Sequence, residues 1–403
     1  MPFFKRFSRI RDGFGRVYLD YASSTPVDRR MLARAPRIPR WASGANPSAL
    51  HKEGVVLRRI VREAHERCAK VLDVHADEII FTSGATESDH LAIHGIVRNW
   101  MEQGIAPSDI AILSSELEHA AVSESIVSLT KEGVRHVPLY APEGIVEPKA
   151  IVLPEEVRAI VVSVMYVNNE IGTIQPIAEI AKRIRKLKKE QPEIDFVFHT
   201  DATQAPAHMP LRIPSLGVDM MTLGAAKLYC PKGVGILYKK RSLKLVPTVR
   251  GGGQEGGMRP GTEPVALIHV FAFALQYAKE QCERYTARTA VLQQWFELSL
   301  LEKFPQLSIT ARQLPRSPHI THVAVPSFDS ELLVLELDAK GIAVSAKSAC
   351  KNDSDDSPLV ASLYGKDVGA VRFSFGRWTT KRDLARTIHA LESIFKKYEI
   401  NKN

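Results

Sequence analysis

The sequence predicts an α/β protein, with a large unit built on a mainly parallel seven-stranded sheet and a smaller α+β unit after it. Three observations carry that prediction. Short β-branched runs alternate with longer helical stretches over the first two thirds of the chain. Several of those runs are apolar at every position, as strands covered by helices on both faces must be. A long helical stretch at about 264–301 then separates this region from two further strands and one terminal helix.

In chain order, residues 1–16 form a basic arm containing Lys5, Arg6, Arg9 and Arg11, without the apolar segment of a secretory signal. The strand-like VYLDY begins at Val17. Helical patterns occupy 55–71 and 177–189, and strand runs fall at 79–81, 112–114, 134–139, 159–167, 195–199, 219–223 and 234–238. Beyond the long helix, 320–325 and 371–375 read as strands and 381–398 as a helix. The expected division is therefore an arm (1–16), a large domain (17–265) and a small C-terminal domain (266–403).

Composition narrows the function. The 403 residues are 45% hydrophobic, enough for a sizeable core, yet no apolar run approaches the roughly 18 residues of a membrane span. The net charge of +9 permits acidic partners. Its densest stretch, KRIRKLKKE from Lys182, spaces Ile184 and Leu187 as one face of an amphipathic helix, so the charges read as a solvated face and no DNA partner is expected. The cysteines, Cys68, Cys230, Cys282 and Cys350, form no C-x-x-C and no metal-ligand spacing with histidine. No metal is expected, and a reducing cytoplasmic setting is favoured. The string GGGQEG from Gly251 fits G-x-G-x-x-G, but it neither follows a strand nor opens a helix, as a dinucleotide site requires.

Three segments carry chemistry. In IIFTSGATESDHLAIHGI, from Ile79, a buried strand turns through Gly84 into a helix whose start gathers Thr82, Ser83, Thr86 and Ser88, a setting suited to phosphate or to simple capping. In HTDATQAPAH, from His199, Asp201 follows a strand at the edge where α/β sheets collect ligands, so its carboxylate can hold a cationic ring nitrogen. Lys227 lies between two later strands among small and apolar neighbours, where desolvation would favour Schiff-base chemistry, although most loop lysines are merely solvated. Phosphate cup, aspartate and lysine in this order are what a pyridoxal phosphate enzyme needs.

From Val17 to Thr380 the chain resembles the cysteine desulfurases of the class V aminotransferase family, through YLDYASSTP, NPSALH, FTSGATES, EHAAV, VNNEIG, HTDATQ, AKLYCPKG, GGGQEGGMRPGT, SAKSAC and VRFSFGRWTT. The resemblance implies a fold-type I pyridoxal phosphate transferase that converts L-cysteine to L-alanine. Lys227 would form the Schiff base and shuttle the α-proton, Asp201 would pair with the pyridine N–H, and Gln204 would bond the ring hydroxyl. His119 would stack on the ring, and Ala85 and Thr86 would bind the phosphate. Thr262 would reach the phosphate of a second subunit, implying a homodimer. Asn169 and Arg372 would hold the substrate carboxylate. Cys350, in the polar stretch KSACKNDSDDSPL, would take the sulfur as a persulfide and pass it to an iron–sulfur scaffold or a tRNA-thiolation protein. Cys230 is a minor candidate for a second reactive thiol, whereas Cys68 and Cys282 fall in helical patterns.

Two departures qualify the resemblance. Where the family has Ser-x-His before the lysine, this chain has Gly224, Ala225 and Ala226, which removes two phosphate donors and implies a weaker hold on the cofactor. Lys347 replaces a glycine ahead of Cys350, and the length from Cys350 to Val360 matches the longer-loop subgroup. The alternatives that share these motifs are a selenocysteine lyase, another class V lyase, and a partner-activated sulfur scaffold with a weakened cofactor site.

Overall fold

The computed structural model of the protein describes residues 15–34, 37–346 and 368–399. The seven expected strands are present as β2 (Ile79–Thr82), β3 (Ile110–Ser115), β4 (Arg135–Leu139), β5 (Ala159–Ser163), β6 (Asp195–Asp201), β7 (Met220–Gly224) and β8 (Gly235–Lys239), after a short β1 (Val17–Tyr18). They form one sheet in the order β2-β8-β7-β6-β5-β3-β4. All neighbours are parallel except β8, which runs antiparallel to both β2 and β7. The start of β8 therefore lies beside the ends of its neighbours.

Strand alternation sends successive residues to opposite faces, and both faces are covered. Ile160, Val162, Phe196, Phe198 and Leu223 pack beneath α2 (Lys52–Leu72), α5 (Ile177–Glu190) and the first half of α7 (Val265–Lys303). Val161, Val197 and Met220 pack beneath α3 (Ala85–Glu102) and α4 (Ala120–Thr130). In α5, Ile177, Ile180, Ile184 and Leu187 are buried and most of the lysines and arginines face outward, as the sequence spacing required.

A second sheet of three antiparallel strands has its own apolar core. β10 (Ile320–Pro326) pairs with β9 (Ser308–Ile309) on one side and β12 (Val368–Ser374) on the other. Phe296 and Leu300 of α7, Leu333 of α8 (Ser330–Ala339) and Leu391 of the terminal helix Lys381–Lys397 fill that core. The chain's start joins it: β1 pairs in parallel with β11 (Ile342–Ala343), and Leu19 is buried there. This return brings residues 20–25 between the two sheets' facing edges, where Thr25 N–H donates to Ala226 O at 2.8 Å and Ser374 N–H donates to Leu19 O at 2.7 Å.

Candidate active site

The ends of the parallel strands converge on a cavity of about 240 Å³. At one end β2 passes through Gly84 into α3. Gly84 caps this helix without a side chain, which leaves first-turn amides to an anion, and Gly84, Ala85 and Thr86 line the cavity. Of the hydroxyls expected here, only Thr86 takes part. Thr82, the last residue of β2, and Ser88, on the buried side of α3, bond each other at 2.8 Å, and Ser83 is exposed in the turn between them. Gly235, at the start of β8, admits the turn: a Cβ there would meet the Gly84 carbonyl carbon at 2.7 Å.

Asp201, the last residue of β6, is buried on the cavity floor and accepts from the Thr203 N–H at 2.8 Å. Two further carboxyls stand close to it. Asp89, fully buried and also lining the cavity, is pushed well above the usual carboxyl range by burial and by the charge of Asp201. Its Oδ1 lies 3.5 Å from His199 Nε2, too far for a good hydrogen bond. Glu118 is raised to about 8, chiefly by burial, against bonds from the Ser115 hydroxyl and the Met165 N–H. Burial lowers His199 to about 4, so it is neutral, with Ser163 Oγ at 3.0 Å and Thr222 Oγ1 at 3.1 Å.

Lys227 closes a short turn, Ala225–Lys227, that follows β7, and its Nζ donates to Ser23 O at 2.5 Å. Lys227 and Asp201 thus reach one cavity from adjacent strands. His119 caps α4, with Nδ1 accepting from the Ala121 N–H at 3.1 Å. In the neutral ring that bond places the proton on Nε2. Asn169 and Arg372 line the far wall. Arg372, 2% exposed, donates to Asn169 O, Asp20 Oδ1 and Ser23 Oγ, while its Nε has no hydrogen-bond partner. Gln204 donates to Ala22 O at 2.8 Å, and its Oε1 faces His319 Nε2 at 3.4 Å.

Eight of the expected side chains, Ala85, Thr86, His119, Asn169, Asp201, Gln204, Lys227 and Arg372, line this one cavity. Thr262 does not; it is exposed. Cys350 lies outside the described residues. Cys230 is buried, outside the cavity lining, and its thiol is pushed up to about 12 by burial, which disfavours the thiolate a reactive cysteine needs. Cys68 is buried within α2. Two charged lining residues, Asp89 and Lys232, were missed from sequence. Asp89 was legible as the helical i+4 neighbour of Ala85. Lys232 was not, because only the antiparallel setting of β8 brings its loop to this edge.

This donor set fits pyridoxal phosphate. An uncapped helix start suits its phosphate, a buried aspartate its ring nitrogen, and a lysine its aldehyde.

The family described as aminotransferase class-V matches residues 17–387. A protein named cysteine desulfurase IscS from Dictyoglomus turgidum is 35% identical over 387 residues, covering 94% of this chain and 95% of its own. Its namesake from Salmonella arizonae is 34% identical, with 92% and 91% covered. Among solved structures, a NifS-like protein superposes with a TM-score of 0.84 at 28% identity, covering 94% of this chain and 99% of its own. SspA in complex with cysteine gives a TM-score of 0.73 at 27% identity, with 90% and 100% covered.

Proposed function

The chain belongs to the aminotransferase class-V family and is a pyridoxal-phosphate-dependent cysteine desulfurase; from that premise we propose that it leaves the sulfur of L-cysteine on Cys350 and releases L-alanine. The observation that carries the reading is the meeting of Lys227, Asp201 and the uncapped start of α3 in one cavity.

When bound, the cofactor supplies an electrophilic carbon for the substrate amine and an electron sink for the charge left as the α-proton departs. Ala85 and Thr86 amides would hold its phosphate, and Asp201, oriented by the Thr203 N–H, would hold its ring N–H. His119 would cover the ring while α4's first turn fixes its orientation. Gln204, tied to Ala22 O, would address the ring hydroxyl through its remaining donor. Lys227, whose Nζ is positioned by its bond to Ser23 O, would accept the α-proton as the neutral amine. Arg372 would place the substrate carboxylate by charge, with Asn169 beside it; Asp20 and Ser23 fix its guanidinium. At Cys350 a new S–S bond would form as the substrate's C–S bond breaks, and the carbon would take a proton to give alanine.

Several finer readings belong to the same proposal. A homodimer is supported by the exposed Thr262, too far from its own cavity to line it, beside a groove bordered by Gly251, Gly252 and Glu263. Iron–sulfur scaffolds or tRNA-thiolation proteins are the acceptors we favour, and the cytoplasm is the setting. No helix among the described residues is long and apolar enough to cross a membrane. The division near residue 265 is supported by the separate apolar cores of the two sheets. Incubation with L-cysteine followed by mass spectrometry tests the reading: one sulfur atom added to Cys350 supports it, and alanine production without that addition overturns the role of Cys350.

A further inference from the structure

A second cavity, of about 220 Å³, shares no lining residue with the one described above. Its lining includes Arg377, Arg284, Asp28, Tyr277, Tyr285 and Trp378. The Arg377 side chain is 6% exposed, yet none of its three guanidinium nitrogens makes a hydrogen bond. Its nearest carboxylate oxygen, Asp28 Oδ2, is 3.7 Å away, beyond hydrogen-bond range. What the protein does supply is aromatic cover: the guanidinium carbon lies 4.1 Å from the Tyr229 ring centre and 5.1 Å from those of Tyr277 and Tyr285. Stacking satisfies the faces of a guanidinium and leaves the N–H groups on its edges unanswered.

A buried, charged donor set without acceptors is costly, and native structures answer it with a partner. The cavity's other groups favour an anion as that partner. The lining holds two guanidiniums against one carboxylate, and Arg284 is exposed, where it adds positive potential for an incoming anion. Arg288, bonded to the carbonyls of Gly376, Arg377 and Thr379, holds the Arg377 backbone in place and adds a third cation nearby. Tyr285 O–H lies 3.4 Å from the Tyr277 hydroxyl, so two phenols stand at the same wall.

We propose that this cavity is a binding site for a small oxyanion, a phosphate, sulfate or carboxylate group held edge-on by Arg377 and closed from the solvent side by Arg284. The planar fork of Arg377 suits two parallel bonds to such a group. The site is separate from the cofactor's phosphate end, and nothing in the desulfurase reaction uses it.

The test uses the cofactor-loaded protein, so that added phosphate cannot occupy the active cavity. Thermal unfolding is followed while sodium phosphate, sulfate or acetate replaces chloride at constant ionic strength. A saturable rise in midpoint with at least one of these anions is expected. Saturation by phosphate and sulfate alone assigns a tetrahedral ligand and supports the site; saturation by acetate assigns a carboxylate and supports the site only where Arg284→Ala weakens it, because Arg372 of the active cavity also suits a carboxylate. Arg284→Ala, an exposed change that leaves the fold alone, should weaken the apparent affinity by about tenfold, and Arg377→Met should abolish the response. Lys189→Ala, an equal loss of charge on α5, should change nothing. No anion-specific saturation, or full affinity in Arg284→Ala, would overturn the proposal even where Arg377→Met does not fold.

Discussion

Gly224 and Ala85 touch across the mouth of α3: a Cβ added to Gly224 would lie 3.1 Å from the Ala85 Cβ and 3.4 Å from the Ala85 nitrogen. A serine at this position would therefore press its Cβ against the Ala85 methyl at the start of α3. In this chain the absent hydroxyl and the closeness of the helix start belong together.

That relationship separates the two departures. Ala226→His should raise cofactor retention on dialysis, because a donor to a charged phosphate contributes about 1.5–3 kcal/mol. Gly224→Ser should gain less, since its side chain must first displace Ala85. Equilibrium dialysis of both single variants and the double variant measures this. Retention by the double variant no better than that of the natural protein would mean that another group already answers the phosphate.

Lys227→Ala should abolish turnover and the cofactor's absorbance shift with L-cysteine while leaving secondary structure and solubility intact. The lysine sits on a cavity wall, and neither apolar core includes it. Loss of folded protein in parallel with activity would contradict the assignment.

Cys350→Ser should stop sulfur release without weakening substrate binding, because Lys227, Asp201 and Arg372 are untouched. Burial pushes the Cys230 thiol up to about 12 and disfavours its thiolate, so it is not expected to take over. Undiminished sulfide in the variant would move the role to a different thiol.

Glu118 gives the cofactor-free protein a pH signature. Its folded value is about 8, against 4.5 unfolded, so the folded state holds the extra proton between those limits. The stability it contributes is complete below about pH 4.5 and falls by about 1.4 kcal/mol per pH unit until about pH 8. Asp89, Asp201 and His199 share this floor, so Glu118→Gln is the way to isolate it. Urea unfolding across that range should show a flatter decline in the variant, and identical slopes would refute the buried, protonated carboxyl.

The sequence by itself determined the sheet, the alternation of its covering helices and most of the site. Period-2 and period-3.6 burial are local properties, and short strings such as FTSGATES and HTDATQ tie each chemical group to the end of a particular strand. It could not tell which hydroxyls near a helix start face the ligand: Thr82 and Ser88 look equal to Thr86 in a string, and only the folded geometry, with Thr82 at the end of β2 bonded to Ser88 inside α3, turns them away. Nor did it show the carboxyls of Asp89 and Glu118 gathered near Asp201, or Lys232 beside Gly84, since these residues lie on separate elements. The tertiary structure alone decided how Arg372 is used. Pairing of β1 with β11 brings Asp20 and Ser23 to its guanidinium, across more than three hundred residues of chain that no local pattern spans. The same holds for Arg377, whose side chain is buried by tyrosines from two distant segments and answered by no acceptor.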